Sequence, residues 1–216
     1  MFFSNADIKL GQLFRKATHI RHFENAVRNP KATQENKLLE IIRANEDTAF
    51  GRKHSFHLIK NVADYRKQVA PNQYEDLHPY IDKLMNGATR QLTFDEPFMF
   101  ATTSGTTAKP KYIPITESHL RHYTHAFQVH NYNLIKSFPQ AAAGKFIIIT
   151  SNDEEGFVPS GKPYGAVSGL LNRRQPDIIR RHFAVPYELC KIKDVDLSVN
   201  VAAAGGDGDF ASRGYR

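Results

Sequence analysis

The residues best suited to chemistry are concentrated in one stretch, Thr102 to Thr116, which reads TTSGTTAKPKYIPIT. Ser104, Thr106 and Thr107 carry hydroxyls, Gly105 lets the backbone approach a ligand closely, and Lys111 brings a positive charge. Together they have the composition of a phosphate cradle, in which backbone N–H groups and hydroxyls donate to phosphate oxygens and a lysine compensates the charge. The apolar runs on either side, Phe98 to Ala101 and Tyr112 to Ile115, read as short strands, which leaves Ser104 to Pro110 as a tight exposed turn. A Walker A loop also ends in lysine. Its pattern, G-x-x-x-x-G-K-[ST], would need a second glycine where Pro110 stands and a Ser or Thr where Tyr112 stands, so that reading fails on spacing.

Two other groups of reactive side chains have weaker claims. His119, His122 and His125 recur every third residue with His130 beyond them, and pairs at that spacing can share a metal on a helix. No Glu-His pair or cysteine completes a tetrahedral set, so they are read as a solvated, partly aromatic helix face and no metal site is expected. His54 and His57 fall in a predicted loop as surface residues. Cys190 is the one cysteine of the chain, so no internal disulfide can form and a reducing compartment is expected. With no base arranged beside it, it is read as a structural thiol and not a nucleophile.

The elements that must position the loop follow from periodicity. Thr33 to Phe50 places Leu38, Leu39, Ile41 and Ile42 at helical spacing, with Thr33 as N-cap and Gly51 as stop. Asn61 to Ala70, ended by Pro71, and Pro79 to Asn86, closed by Gly87, read as shorter helices. Thr116 can cap a long helix from Glu117 to about Ser137, starting a few residues after the loop and ended by Pro139. Phe146 to Thr150 reads as a strand buried on both faces, which with the preceding helix points to an α/β layered fold. Ser151 to Ser168 reads as loop, and Tyr187 to Leu197 as the start of another helix. Beyond Val199 the sequence turns Ala-, Gly- and Asp-rich, the expected signature of a disordered or aberrant tail over 199–216, after a domain spanning 1–198.

At 216 residues and 41% hydrophobic, the chain is long enough to bury a core. A formal charge of +7 suits a nucleic-acid binder, and Arg173, Arg174, Arg180 and Arg181 form a local basic cluster. The basic residues are nevertheless interspersed with acidic ones and match no nucleic-acid motif, so no nucleic-acid partner is expected. Asp7 and Lys9 interrupt what would have to be the apolar region of a signal peptide, and Phe146 to Ile149, the longest aliphatic run, is far short of a bilayer span. A soluble, cytoplasmic protein without a membrane partner is expected.

Thr103, Ser104, Gly105, Thr106, Thr107, Pro110 and Lys111 resemble the phosphate loop of the acyl-adenylate-forming superfamily, [ST]-S-G-[ST]-T-G-x-P-K, with Ala108 in place of the usual glycine. The following YIPIT, the upstream FGRKHSFHLIKNVADYRKQVA and the downstream YELCKIKDVDL narrow the resemblance to the GH3 family, the auxin-responsive acyl acid amido synthetases and their bacterial relatives, over roughly residues 30 to 197. The resemblance implies the N-terminal part of the large domain of an adenylate-forming, luciferase-like enzyme, with layered sheets and helices, normally followed by a small mobile C-terminal domain. It also implies ATP and magnesium, with a carboxylic acid and an amino acid as substrates: the acid is first joined to AMP, and the amine then takes the acyl group as an amide. On that basis Thr103, Ser104, Gly105, Thr106, Thr107 and Lys111 are the expected ligands of the ATP phosphates. No complete catalytic set is found in the chain. The family's later motifs, a Tyr/Ser/Glu segment at adenine and magnesium and an aspartate on the ribose, are not recognised, nor is a magnesium ligand. The expectation is therefore a fragment, with a complementing C-terminal chain or self-association as the partner. The alternative is a non-catalytic remnant that binds a nucleotide or a protein.

Overall fold

The computed structural model describes residues 4–103 and 110–192. Its N-terminal portion is helical where sequence periodicity gave no element. Ser4 accepts from the Asp7 N–H while the Asp7 carboxylate accepts from the Ser4 N–H, a capping box that starts α1, Asn5–Arg15. The chain passes through a wider π turn, Lys16–Ile20, into α2, Arg21–Arg28.

Asn29 then caps α3, Pro30–Ala44, with Pro30 at its first position, where a missing N–H costs nothing. This start overrides the predicted one at Thr33, whose hydroxyl instead donates back to the Asn29 and Ala26 carbonyls at 2.9 and 3.0 Å. The predicted stop also moves. The helix ends at Ala44, and Thr48, fully buried, accepts from the Gly51 N–H at 2.9 Å to begin α4, Ala49–Lys53. Gly51 thus lies inside a helix, chosen for closeness: a Cβ there would sit 2.1 Å from the Asn45 carbonyl oxygen.

A 3-10 turn, Phe56–Leu58, leads to α5, Val62–Gln68, shorter than the predicted span, with Asn61 as its cap. The next helix, α6, runs Tyr74–Met85. It starts before the predicted Pro79, at the cap residue Gln73, whose N–H donates to the Asp76 carboxylate at 2.8 Å, and it carries Pro79 in its interior. Gly87, at φ 94°, closes it as expected.

The two predicted strands are present as β1, Met99–Thr102, and β2, Tyr112–Ile115, and pair antiparallel, with Met99 opposite Ile115 and Thr102 opposite Tyr112. Thr116 caps α7, Glu117–Ser137, by accepting from the His119 N–H at 3.2 Å, as its sequence requires. The segment expected to be loop instead supplies β3, Gly156–Phe157, and β4, Pro163–Gly165, followed by α8, Val167–Arg173. Among the described residues these strands make one mixed sheet in the order β2-β1-β4-β3, with β4 parallel to β1.

Alternation along β1 builds the layers. Met99 and Ala101 pack with Ile115, Leu120 of α7 and Leu170 of α8, whereas Phe100 faces Ile81 and Leu84 of α6 and Val158. The sheet is thus covered on both faces by helices, an incomplete α/β arrangement. A third apolar cluster, Ile42, Phe56, Ile59 and Val69, joins α3 to the segment around α5.

The segment Phe146–Thr150 is not the predicted buried strand. Phe146 alone bridges to Phe183, donating to the His182 carbonyl and accepting from the Ala184 N–H, both at 2.8 Å. Ile147 and Ile149 stand 74% and 85% exposed, because no described element covers their side. The chain continues through α9, Asp177–Arg180, to a 3-10 turn, Tyr187–Lys191, where a longer helix was expected. The 199–216 tail lies outside the described residues.

Candidate functional site

The candidate site is the neck of the β1–β2 hairpin. Ser104, Gly105, Thr106 and Thr107 lie outside the described residues; Thr103 and Lys111 flank them on either side. The Thr103 N–H donates to the Lys111 carbonyl at 3.3 Å and closes the neck. Because β1 and β4 run parallel, with Ala101 opposite Gly165, both present their carboxyl ends on the side of this loop. That is where ligands bind in α/β sheets, since chain reversals there leave a crevice lined by backbone. α7 is placed differently from what its closeness in sequence suggests. The four residues of β2 carry the chain roughly 13 Å away from the neck before the helix begins, so its N-terminus does not face the loop.

Lys111 is held by α6. Its Nζ lies 5.2 Å from the centroid of the Tyr74 ring and 3.9 Å from Oε1 of Glu75. The next residue, Tyr112, donates its N–H to the Tyr74 hydroxyl at 2.9 Å. On the other side of the neck the Thr102 hydroxyl donates to Glu155 at 3.4 Å. The Tyr112 ring meets the Tyr164 ring edge-on at 5.4 Å. Burial, reinforced by Tyr164, Tyr74 and Glu155, pushes the Tyr112 hydroxyl above its ordinary pKa and keeps it protonated. Tyr74, Glu75 and Glu155 were not singled out from sequence. Tyr74 is 38 residues from Tyr112, and no motif spans that gap.

A buried brace supports the same end of the sheet. Asp153, with no exposure, accepts from Arg173 Nε at 2.8 Å and from its Nη2 at 2.7 Å, and from the Tyr187 hydroxyl. Burial and that bond to a carboxylate together hold Tyr187 far above the usual phenol range. Gly169 lets α8 pack onto the Asp153 segment: a Cβ would fall 2.2 Å from the Ser151 carbonyl oxygen.

Other candidate groups resolve into structural roles. His125 Nδ1 lies 2.8 Å from His19 Nδ1, and the His22 ring stands edge-on to it at 5.7 Å, so the N-terminal helices cover part of the histidine face expected to be solvated. Burial, then His19, His22 and His122, hold His125 below its ordinary pKa. Among the described residues no group of three or more His, Cys, Asp or Glu could hold a metal ion. Cys190 is half-buried, and burial followed by the charge of Asp153 raises its thiol, which opposes thiolate chemistry. Within the basic cluster, Arg173 pairs with Asp153 and Glu154, Arg174 with Glu117, and Arg180 with Asp177. No helix of the described residues is long and apolar enough to cross a membrane.

Comparison with known proteins agrees with this architecture. Over 148 residues the chain is 25% identical to the 4-substituted benzoates-glutamate ligase GH3.12 of Arabidopsis thaliana, covering 68% of this chain and 26% of that protein. Over 103 residues it is 30% identical to the indole-3-acetic acid-amido synthetase GH3.2 of the same plant, covering 47% of this chain and 19% of the relative. A solved structure of the GH3.15 acyl acid amido synthetase superposes with a TM-score of 0.70 at 20% identity, over 95% of this chain and 35% of that one. A second, of AtGH3.15 in complex with 2,4-DB, gives 0.63 at 22% identity, over 80% and 29%. The chain therefore spans between 19% and 35% of the lengths of these proteins. Residues 19–204 match the GH3 family N-terminal domain, most of the sequence, and the chain belongs to the GH3 family.

Proposed function

We propose that this chain carries the phosphate loop of an ATP-dependent acyl acid amido synthetase, with Thr103, Ser104, Gly105, Thr106, Thr107 and Lys111 holding the ATP phosphates. The observation that carries the reading is the placement of the loop's neck, closed by Thr103 and Lys111, at the carboxyl end of β1, beside that of its parallel neighbour β4. The donor chemistry fits a polyphosphate: a lysine whose side chain is 44% exposed, hydroxyls and a glycine, all within nine residues of sequence. The matched relatives named as amido synthetases and as a glutamate ligase support the same chemistry.

When bound, ATP would supply the activating group: the acid's carboxylate would displace pyrophosphate to join AMP, and an amino acid amine would then take the acyl group as an amide, releasing AMP. The part of this chain is to orient the β- and γ-phosphates and neutralise their charge, so that pyrophosphate leaves from a fixed position. Magnesium would arrive with the triphosphate, and no residue of this chain is assigned to it. We assign the rest of the nucleotide site to sequence equivalent to the part of the relatives that this chain does not span, in a longer product or a complementing chain. The cytoplasm, with its ATP and reducing milieu, suits this chemistry and the lone Cys190.

Titration calorimetry with ATP and with pyrophosphate tests the reading. Lys111→Ala is expected to weaken both by about tenfold, the lower end of what a charge-assisted contact contributes, because the ammonium is partly exposed. Equal affinity of the wild type and Lys111→Ala would overturn it.

A further inference from the structure

We propose that the first turn of α6 is a cradle for Lys111, with Tyr74 as its positioning residue and Glu75 as its resting counter-ion, which an incoming polyphosphate displaces. The exchange rests on the phosphate-loop reading; the cradle rests on contacts present without any ligand.

β2 is the edge strand of the described sheet, so one side of its backbone has no strand partner. The Tyr74 hydroxyl takes up the Tyr112 N–H on that edge at 2.9 Å, which fixes α6 against the first residue of β2, immediately after Lys111. A lysine side chain is a flexible stem that no single contact orients. Here the Tyr74 ring lies beneath the ammonium at 5.2 Å, within cation–π range, and being neutral it places the charge without cancelling it. Glu75 does cancel it. Its carboxylate stands 3.9 Å from Nζ, but its side chain is 70% exposed and that of Lys111 44%. Exposed pairs of this kind are weak and exchange readily, and a polyphosphate brings several charges against one. Tyr74 and Glu75 therefore divide the work: one keeps the ammonium against α6 beside the neck, the other holds it only until a stronger anion arrives.

Zero-length carbodiimide coupling, read by peptide mass spectrometry, tests the cradle directly. The free 216-residue chain is expected to give a Lys111–Glu75 cross-link, with the Lys37–Glu40 pair at 2.8 Å as internal control. Saturating tripolyphosphate should suppress the first and spare the second. By calorimetry, Glu75→Gln should bind tripolyphosphate about two- to fivefold more tightly, as loss of a surface ion pair implies. Tyr74→Leu should bind it about fivefold more weakly and Tyr74→Phe by less, since the ring remains; matched circular dichroism melts show that the variants fold alike. Failure of Lys111–Glu75 to couple while Lys37–Glu40 couples would overturn the cradle. A cross-link that persists under saturating tripolyphosphate would overturn the exchange. If Lys111→Ala leaves tripolyphosphate affinity unchanged, the phosphate-loop reading and the exchange both fall, while the cross-link still decides the cradle.

Discussion

Asp153 and Arg173 contribute unequally to their pair, because one is buried and the other is not. The carboxylate has no exposure, and the guanidinium side chain is 40% exposed. Removing the arginine leaves a buried charge whose desolvation is offset only in part by the Tyr187 hydroxyl, whereas removing the aspartate leaves the arginine with Glu154 and water. Arg173→Leu is therefore expected to cost about 3 kcal/mol in urea unfolding, and Asp153→Asn less. Added on the Arg173→Leu background, Asp153→Asn should recover part of the loss. If Asp153→Asn proves the more costly single change, the charge at position 153 is not the group at risk. The chemistry of single residues was legible in the sequence when it lay within a few positions, as with Thr116, whose hydroxyl accepts from the His119 N–H. It was not legible when partners were distant: Arg173 was read as one of four basic neighbours, and only folding brings Asp153 to it across 20 residues.

At the scale of elements, the α7 boundaries followed from Thr116 and Pro139 because capping is local chemistry. α1 and α2 escaped detection because they dock largely through polar contacts. Gln12 donates to the Tyr132 carbonyl at 3.0 Å, Arg15 Nε to Gln128 at 2.9 Å, and His19 meets His125. Leu10, Leu13 and Phe14 meanwhile lie 64–69% exposed and trace no buried stripe. This docking should depend on pH. With two Nδ1 atoms 2.8 Å apart, one must be an unprotonated acceptor. Burial, with His19, His22 and His122 facing it, holds the docked His125 below its ordinary value of about 6.5; Glu40 faces His122. A depressed base costs nothing above the undocked pKa. As pH falls below about 6.5 the undocked state takes a proton that the docked state resists, so docking weakens from there down to the lowered value. Hydrogen exchange corrected for intrinsic rates should show α1 and α2 less protected at pH 5.5 than at pH 7.5, and His125→Gln should flatten that dependence. Equal protection at both pH values would exclude a titrating contact.

For the whole molecule, the sequence pattern gave the α/β class and the β1–loop–β2–α7 order, but it misjudged which apolar residues are covered. A continuous run such as FIII reads as buried on both faces because, in a parallel sheet, helices lie on each side. In this chain Ile147 and Ile149 stand 74% and 85% exposed, with Phe138 at 61% and Phe157 at 68%. Beyond Phe146, no pairing of this arm as a strand is found among the described residues, so its backbone resembles an open sheet edge. Covering the two isoleucines alone would contribute roughly 2–5 kcal/mol. That gain is available to any apolar surface that fits, including a second copy of the chain. The 216-residue chain is therefore expected to bind a hydrophobic dye such as ANS and to self-associate as its concentration rises, despite a net charge of +7 that opposes association. Ile147→Lys together with Ile149→Lys should lower both dye binding and the apparent mass by light scattering, and should leave the melt unchanged if those side chains face only solvent. A wild-type chain that stays monomeric at every concentration, melts sharply and binds no dye would show that this exposed arm is tolerated without a partner.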